Sequence, residues 1–536
     1  MNVTSMAKNR IITLLVSMLV ALALWTSMAS AQANAFNGLA GGPYRRLVIR
    51  NAMVIPGHGG PANGPYDILI ENNTITQMVP FDPVTAERRG EGSRMTGDRV
   101  IDATGKFVMP GMIDLHMHLR TQPMEVDYVY FLKLAHGVTT MVPAPDRGLD
   151  SALVAQKASA QNTILAPRQY PIWGWGRGFS REEYENPANA PRIAKAMAAQ
   201  GAHVVSVGNV TWNQELFGAV CKAVWDAGGI TTIHLPPSTT AVVNAVDAAR
   251  LGVTMIEHHY GYAESSLPRS TQDYPRDYNF DNENHRFREA GRVWVEAKQT
   301  SRDVLLTQVA DSLVKYGVTM LPTRVVYEAN RDILRAESLP WHEKFTHQAL
   351  INWNLPNPAY HGSYHYEWTS DDEAFWTDAF RLWGDLIFEF NKRGGRVAYG
   401  TDDNYIWATP GFSNVRELQL LRETGMHNLE VIKAATLNSA QTLRQPRLGL
   451  VRPGYLADLL IVDGNPAYNL RFLYSFGALT LDRENKMIRT NGIVHTIKDG
   501  VVIDNKRVMD EVARMVAASK RGSTPNIVSK PFVRDQ

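Results

Sequence analysis

Cysteine is nearly absent from this chain of 536 residues, in which Cys221 is the single example. One cysteine excludes a disulfide bond within the chain. Its place in the helical pattern from Glu215 to Trp225 favours a small buried side chain over a reactive thiol. Stability must therefore come from packing, and a hydrophobic content of 44% is sufficient for a large core.

An excess of one charge is also missing. Lys and Arg total 55, Asp and Glu total 53, and the formal net charge is +2. Two basic residues near the N-terminus, Lys8 and Arg10, account for that excess, so the rest of the chain is neutral overall. This balance excludes the basic surface on which nucleic-acid binding depends. We expect a small-molecule or peptide-like substrate and no nucleic acid.

Long apolar runs are absent after the first 31 residues. The apolar run from Ile11 to Trp25 follows Lys8 and Arg10 and precedes the small residues Ala29 to Ala31. This order is typical of a signal peptide, and the run is shorter than the roughly 20 residues that a membrane-spanning helix needs. We predict a signal peptide over residues 1–31 and an exported protein, periplasmic or extracellular, without a stable membrane anchor. A homo-oligomer is compatible with the sequence.

Strand and helix patterns divide the rest of the chain. Short β-rich segments at both ends predict one small β-sandwich domain from residues 32–109 and 441–506. The alternating strands and helices between them predict an α/β fold, a catalytic (β/α)8 TIM-type barrel over residues 110–440 inserted in that sandwich. A C-terminal helix and tail are expected over 507–536. Residues 261–300 and 338–378 interrupt the alternation, and we expect loop elaborations that form a substrate lid, cover the outside of the barrel or make a subunit contact.

Two histidines separated by one residue, His116 and His118, close an apolar strand-like run. Residues i and i+2 of a strand share a face, with Cα atoms roughly 7 Å apart, so both imidazoles can reach one metal ion. His234, His258 and Asp402 each end a strand-like segment of their own. Because a (β/α)8 barrel builds its active site at the C-terminal ends of its strands, these five side chains predict one metal site.

Three segments together resemble the metal-dependent amidohydrolase superfamily, and most closely its imidazolonepropionase-like and prolidase-like branch. They are Pro110–His118, Gly400–Asp402 and Leu448–Leu460, and the resemblance extends from about Arg46 to about Asp504. It implies a divalent metal cofactor, with Zn favoured. It also implies a hydrolase acting on carbon–nitrogen bonds, such as the amide of a peptide-like or cyclic substrate, by attack of a metal-bound hydroxide.

The predicted catalytic groups are Asp402 and His258. Asp402 is placed to act as the general base, and His258 either binds a second ion or donates a hydrogen bond to the carbonyl oxygen. Many relatives carry a carboxylated lysine on the fourth barrel strand, where this chain has Ser206. The departure favours one ion, while two ions remain compatible. The alternatives are a one-metal deaminase that releases an amine and an inactive binding protein on the same fold.

Substrate contacts are predicted for four residues in loops that follow strands: Arg120, Arg177, Tyr260 and Arg324. The guanidinium of Arg120 would suit a substrate carboxylate, and a salt bridge at the rim is the alternative. Two neighbours of predicted ligands, His259 and Asp403, are expected to face away from the metal because successive strand residues alternate.

Overall fold

The structure is a computed structural model that describes residues 35–82, 84, 87–88, 94–119, 124–146, 148–268, 277–279, 282–357, 362–482 and 484–522. The predicted signal peptide, the predicted contact Arg120 and the end of the C-terminal tail lie outside the described residues.

Twenty strands are present in the described chain, numbered in order: β1 (Ala40–Gly41), β2 (Arg46–Val54), β3 (Asn63–Glu71), β4 (Thr74–Pro80), β5 (Arg99–Asp102), β6 (Phe107–Pro110), β7 (Met112–His118), β8 (Val138–Ala144), β9 (Arg168–Gln169), β10 (Ile172–Gly174), β11 (Val204–Ser206), β12 (Ile230–His234), β13 (Met255–Glu257), β14 (Thr319–Leu321), β15 (Arg396–Val397), β16 (Leu459–Asp463), β17 (Leu479–Leu481), β18 (Met487–Arg489), β19 (Gly492–Lys498) and β20 (Val501–Asp504).

Both ends of the chain contribute to one nine-stranded sheet. Its order is β1-β20-β19-β16-β6-β2-β3-β4, with β5 paired to β2. Strand β16 pairs antiparallel with both β6 and β19, which joins the late strands to the early ones. Apolar residues of β2 and β16, among them Leu47, Ile49, Leu459 and Ile461, share one buried cluster. Burial of this common face holds together segments that lie far apart in the sequence.

The centre of the chain is an α/β unit of parallel strands, as predicted. Strands β7, β8 and β9 form one sheet, and β10 to β15 form a second in sequential order. Backbone hydrogen bonds also join the segment after β15 to β7. The Leu115 N–H donates to the Tyr399 carbonyl at 2.9 Å, and the Asp402 N–H donates to the His116 carbonyl at 2.8 Å. The described parallel strands of the centre thus form two sheets rather than one continuous closed sheet.

The α-helices of the described chain surround these sheets and fill the insertions. Their bounds are Val126–Ala135, Leu149–Ala160, Arg181–Tyr184, Ala190–Ala199, Gln214–Asp226, Ala245–Arg250, Glu283–Thr300, Arg302–Val304, Ala310–Tyr316, Ile333–Glu337, His342–Phe345, Gln348–Asn354, Ser370–Lys392, Phe412–Glu423, Asn428–Lys433, Ser439–Thr442 and Asn505–Lys520. None of these helices is both long enough and apolar enough to cross a membrane.

Two segments, residues 261–300 and 338–378, interrupt the strand–helix pattern, and two long helices that begin in them pack against each other. The helix Glu283–Thr300 packs against the helix Ser370–Lys392. The Trp376 indole N–H donates to the Phe287 carbonyl at 2.8 Å, and Trp376 and Trp294 are fully buried. A buried indole with a satisfied N–H, as in Trp376, favours a fixed contact over a mobile one. The start of the first helix is therefore held in place, and it carries residues that reach the functional site.

Candidate metal centre

Three predicted ligands converge at the end of β7. The Nε2 atoms of His116 and His118 lie 3.2 Å and 3.0 Å from the same oxygen, Oδ1 of Asp402. The two histidines share a face of β7 as the strand period requires. Asp402 reaches them from the segment after β15, where its left-handed backbone, with φ of 52°, turns the carboxylate towards β7. Three ligand atoms thus surround one point.

The spacing of these atoms fits a metal ion. Zinc lies about 2.0 to 2.1 Å from imidazole nitrogen and about 2.0 to 2.2 Å from carboxylate oxygen, so neighbouring ligand atoms of a tetrahedral site are about 3.3 Å apart. The observed separations from Asp402 Oδ1 are 3.0 and 3.2 Å. Two imidazoles and one carboxylate also form a donor set that divalent zinc accepts, with a coordination position left for water or substrate.

The electrostatics of the centre also favour a cation. Burial alone would lower the pKa of His118, but its hydrogen bonds to Asp146 and Asp402 raise that pKa to about 9. Burial also opposes a charge on His116, but the carboxylates of Glu257 and Asp402 raise its pKa well above the usual value. Carboxylates that hold protons on two imidazoles attract positive charge, and a divalent ion that binds there displaces those protons.

Asp146 fixes the orientation of His118. Both of its carboxylate oxygens lie 3.0 Å from His118 Nδ1, which leaves Nε2 directed at Asp402. A carboxylate behind a ligating histidine holds the ring and its tautomer and strengthens the ligand. Sequence reasoning missed Asp146, although its position just after β8 was the signal that could have identified it.

His258 and His234 stand beside the first three ligands. The His258 ring centroid is 5.1 Å from that of His116 and 4.6 Å from that of His234. Burial lowers the pKa of His258 to about 4, so this imidazole is neutral at pH 7. Its Nδ1 lies 2.7 Å from the Thr323 hydroxyl and 3.6 Å from Asp402 Oδ2. All five predicted ligands line one cavity.

Glu257 is a further titratable group at this centre, and sequence reasoning missed it. Its Oε1 lies 3.1 Å from His116 Nδ1 and accepts a hydrogen bond from the Thr232 hydroxyl. Burial would raise its pKa, but attraction to His116 outweighs this and lowers the pKa to about 2, so Glu257 is ionised. A carboxylate at the end of the apolar strand β13, just before His258, was the available signal. Ser206, at the position expected for lysine, lines the same cavity.

The cavity has a volume of about 440 Å³ and receives part of its wall from both insertions. Arg286 and Phe287, at the start of the helix Glu283–Thr300, line it, as does Gly362 from the second insertion. Glu283 connects these parts, because its carboxylate accepts the Gly362 N–H at 2.7 Å and lies 3.0 Å from Arg286. The insertions therefore form a wall over the metal centre, and they place one guanidinium in it.

Known proteins resemble this chain in the sequence of one segment and in the overall fold. Residues 389–503, which include Asp402, match the model of the Amidohydrolase family. Among solved structures, the bottromycin amidohydrolase has a TM-score of 0.59 and 16% identity over 92% of this chain and 93% of that chain. A Xaa-Pro dipeptidase with bound methionine has a TM-score of 0.54 and 17% identity over 86% of this chain and 100% of that chain. At such identities these structures show the fold alone.

The chain is thus similar to amidohydrolases in sequence over residues 389–503 and in fold over most of its length. Its curated relatives include a dihydroorotase of Thermoanaerobacter sp. (strain X514), 28% identical over 30% of this chain and 37% of that enzyme. Adenine deaminase 2 of Rhizobium etli is 26% identical over 36% of this chain and 35% of that enzyme. The chain thus spans little more than a third of the length of these relatives.

The predicted substrate contacts lie in different places. The Tyr260 ring stacks on His234 at 4.9 Å, beside the cavity. The Arg177 side chain is 48% exposed and pairs with Asp150 at 3.4 Å, away from the residues that line the cavity. Arg324 is buried with its guanidinium 3.8 Å from the ring centroid of Phe380, and it too is absent from the cavity wall. Among the described residues, the arginine in that wall is Arg286.

The two residues expected to face away from the metal make other contacts. His259 packs among aromatic rings, with centroid distances of 4.6 Å to Tyr327, 5.0 Å to Trp376 and 5.6 Å to Trp383. Asp403 lies 2.6 Å from the ammonium of Lys133. Neither lines the cavity, so both serve the packing around the centre.

Proposed function

We propose that this protein is a metal-dependent amidohydrolase, an exported zinc enzyme that hydrolyses an amide bond in a peptide-like or cyclic substrate, on a (β/α)8 barrel inserted in a composite β-sandwich. The observation that carries the proposal is the convergence of His116 Nε2 and His118 Nε2 on Asp402 Oδ1 at 3.2 and 3.0 Å. A zinc ion bound there would lower the pKa of a water molecule to near neutrality and polarise the substrate carbonyl.

Asp402 is the proposed general base. Its Oδ1 faces the two histidines of β7, while Oδ2 lies towards His258 at 3.6 Å and is available to the substrate side. Such a carboxylate takes a proton from the attacking water and delivers it to the departing amine nitrogen. The His258 imidazole is neutral at pH 7, and its Nδ1 lies 2.7 Å from the Thr323 hydroxyl and 3.6 Å from Asp402 Oδ2.

Arg286 is the proposed contact for the substrate. It lines the same cavity as the five predicted ligands, on a helix held by the buried Trp376. A guanidinium pairs with a carboxylate through two parallel hydrogen bonds. We therefore infer that the preferred amides carry a carboxylate, as dipeptides and N-acyl amino acids do.

The test is turnover by purified, zinc-loaded protein on a panel of dipeptides, N-acyl amino acids and lactams. We expect release of a free amine or ring opening from at least one class, and loss of that turnover in Asp402→Asn with an unchanged circular dichroism spectrum. Ammonia release would instead favour a deaminase, the class suggested by the similarity to adenine deaminase over 211 residues. Full activity of Asp402→Asn, or less than half an equivalent of tightly held metal, would refute the proposal.

A further inference from the structure

We propose that a second cavity, between the helices Val126–Ala135 and Leu149–Ala160, binds a long apolar acyl chain of the substrate. The preferred amide is then an N-acyl amino acid whose acyl chain has about six or more carbons. The inference rests on the proposed function and extends it, because Arg286 addresses only the carboxylate of such a substrate. None of the five predicted metal ligands lines the second cavity.

Short side chains leave the space for this cavity, which has a volume of about 220 Å³. The first helix contributes Val126 and Tyr130 to its wall. The second helix contributes three alanines at intervals of three residues, Ala152, Ala155 and Ala158. Residues with this spacing are neighbours on a helix surface. Their methyl groups leave a gap between the two helices that larger side chains would close.

The lining of the second cavity is mainly apolar. Leu119 and Ile164 add to the residues of the two helices, and the charged groups among the described lining residues are the carboxylates of Asp127 and Asp146. With no cation in that described wall, a buried substrate carboxylate would have no partner there. An apolar cavity of about 150 Å³ is large enough for benzene, so this cavity accepts an apolar group of about six carbons. Val154 also lines it and is 71% exposed, so a longer chain can extend to solvent.

Two residues join the second cavity to the metal-centre cavity. Ala144, at the end of β8, and Pro145 line both cavities. The next residue, Asp146, lines the second cavity, and its two carboxylate oxygens each lie 3.0 Å from His118 Nδ1. The second cavity therefore begins beside a group that contacts a predicted metal ligand. A chain attached to the reacting carbonyl enters it by passing Ala144 and Pro145, neither of which has a polar side chain.

The two cavities match the two halves of one kind of amide. The metal-centre cavity offers the Arg286 guanidinium, which suits a carboxylate on the amine half of the substrate. The second cavity offers apolar surface, which suits an alkyl chain on the acyl half. An N-acyl amino acid carries both groups on opposite sides of a single amide bond.

The experiment measures kcat/KM of the zinc-loaded protein for N-acetyl, N-butanoyl, N-hexanoyl and N-octanoyl derivatives of one amino acid. Each methylene that becomes buried should raise kcat/KM about fourfold, so three or four of them give roughly 60- to 250-fold between the shortest and the longest chain. Ala155→Phe fills the second cavity and should reduce that ratio to near one. The matched control is Ala160→Phe, the same change at an exposed position of the same helix, which should keep the wild-type ratio.

Inhibition by the acid product gives a second readout, because octanoate should inhibit the wild type at lower concentration than acetate, and Ala155→Phe should remove the difference. If Ala155→Phe does not fold, Ala155→Leu fills less of the space and should lower the ratio by a smaller factor. A flat chain-length profile, an unchanged ratio in Ala155→Phe, or turnover confined to dipeptides and lactams would overturn the role of the second cavity and leave the proposed hydrolase intact. Absence of turnover on every substrate class would instead refute the proposed function itself.

Discussion

Lys133 Nζ lies 2.6 Å from Oδ2 of Asp403 and 2.8 Å from Oδ2 of Asp114, and all three side chains are fully buried. Asp114 is two residues before His116 on β7, and Asp403 directly follows Asp402. One ammonium group therefore ties the strand that supplies two ligands to the segment that supplies the third. The network holds the three ligand atoms together without contacting the cavity itself.

Replacing Lys133 with Met should destabilise the fold strongly. The change leaves two buried carboxylates without their cation, and breaking a buried pair in this way typically costs about 3–5 kcal/mol. Urea unfolding of the metal-free protein measures the loss, with Lys157→Met on an exposed helix face as the control. A loss below about 1 kcal/mol would show that Lys133 does not hold this network.

Replacing Arg286 with Met should change specificity rather than chemistry. Loss of a charge-assisted hydrogen bond of about 1.5–3 kcal/mol should lower kcat/KM for a substrate with a free carboxylate by roughly 10- to 150-fold. The same substrate with its carboxylate amidated should be affected far less. Arg177→Met, which removes an arginine outside the cavity wall, is the matched control. Equal effects on both substrates would contradict recognition of the carboxylate by Arg286.

Strand periodicity was sufficient to bring the five predicted ligands to one cavity. The alternation on β7 places His116 and His118 on one face, and the strand-end rule adds His234, His258 and Asp402, all of which line one cavity. The parallel α/β centre was predicted from the alternation of strands and helices, and that part of the fold is confirmed. Patterns of this kind are local, so they are visible in the sequence.

The remaining contacts depend on tertiary structure. Arg286 reaches the cavity because the helix Glu283–Thr300 packs on a helix far away in the sequence, which no local pattern records. Arg324 follows β14 as a substrate contact would, but Thr323 adopts a left-handed backbone with φ of 50° and the guanidinium packs against Phe380 instead. Glu257 was missed because a carboxylate at a strand end has no distinctive spacing of its own.

Stability in acid should depend on Glu328, which lies outside the cavity wall. Burial opposes its charge, but hydrogen bonds from Arg416 and the charges of Arg335 and Arg331 lower its pKa to about 2. The folded pKa is below the unfolded value of about 4.3, so the stabilisation is complete above that value and is lost as pH falls towards 2. We expect unfolding free energy to decline between pH 5 and about pH 2 more steeply in the wild type than in Glu328→Gln, measured by urea titration. Parallel pH profiles would contradict this assignment.

Arg168 should couple the nine-stranded sheet to the parallel strands. It lies on β9, and its guanidinium is 2.6 Å from Asp458 Oδ2 and 2.6 Å from Asp499 Oδ1, both supplied by the sheet. The three side chains are between 3% and 13% exposed, so both contacts are shielded from water. Replacing Arg168 with Met would leave the Asp458 and Asp499 carboxylates without the cation between them. We expect a loss of about 3–5 kcal/mol in unfolding free energy, and partial recovery when Asp458→Asn is added.

The matched control for Arg168 is Arg192→Met. Arg192 pairs with Glu183 at 2.8 Å, but the two side chains are 55% and 42% exposed, so the change should cost less than about 1 kcal/mol. The measurement is urea unfolding followed by fluorescence, with limited proteolysis as a second readout for separation of the two sheets. Equal losses from Arg168→Met and Arg192→Met would show that the Arg168 contacts do not join the sheets, because a buried junction must be more sensitive than an exposed pair.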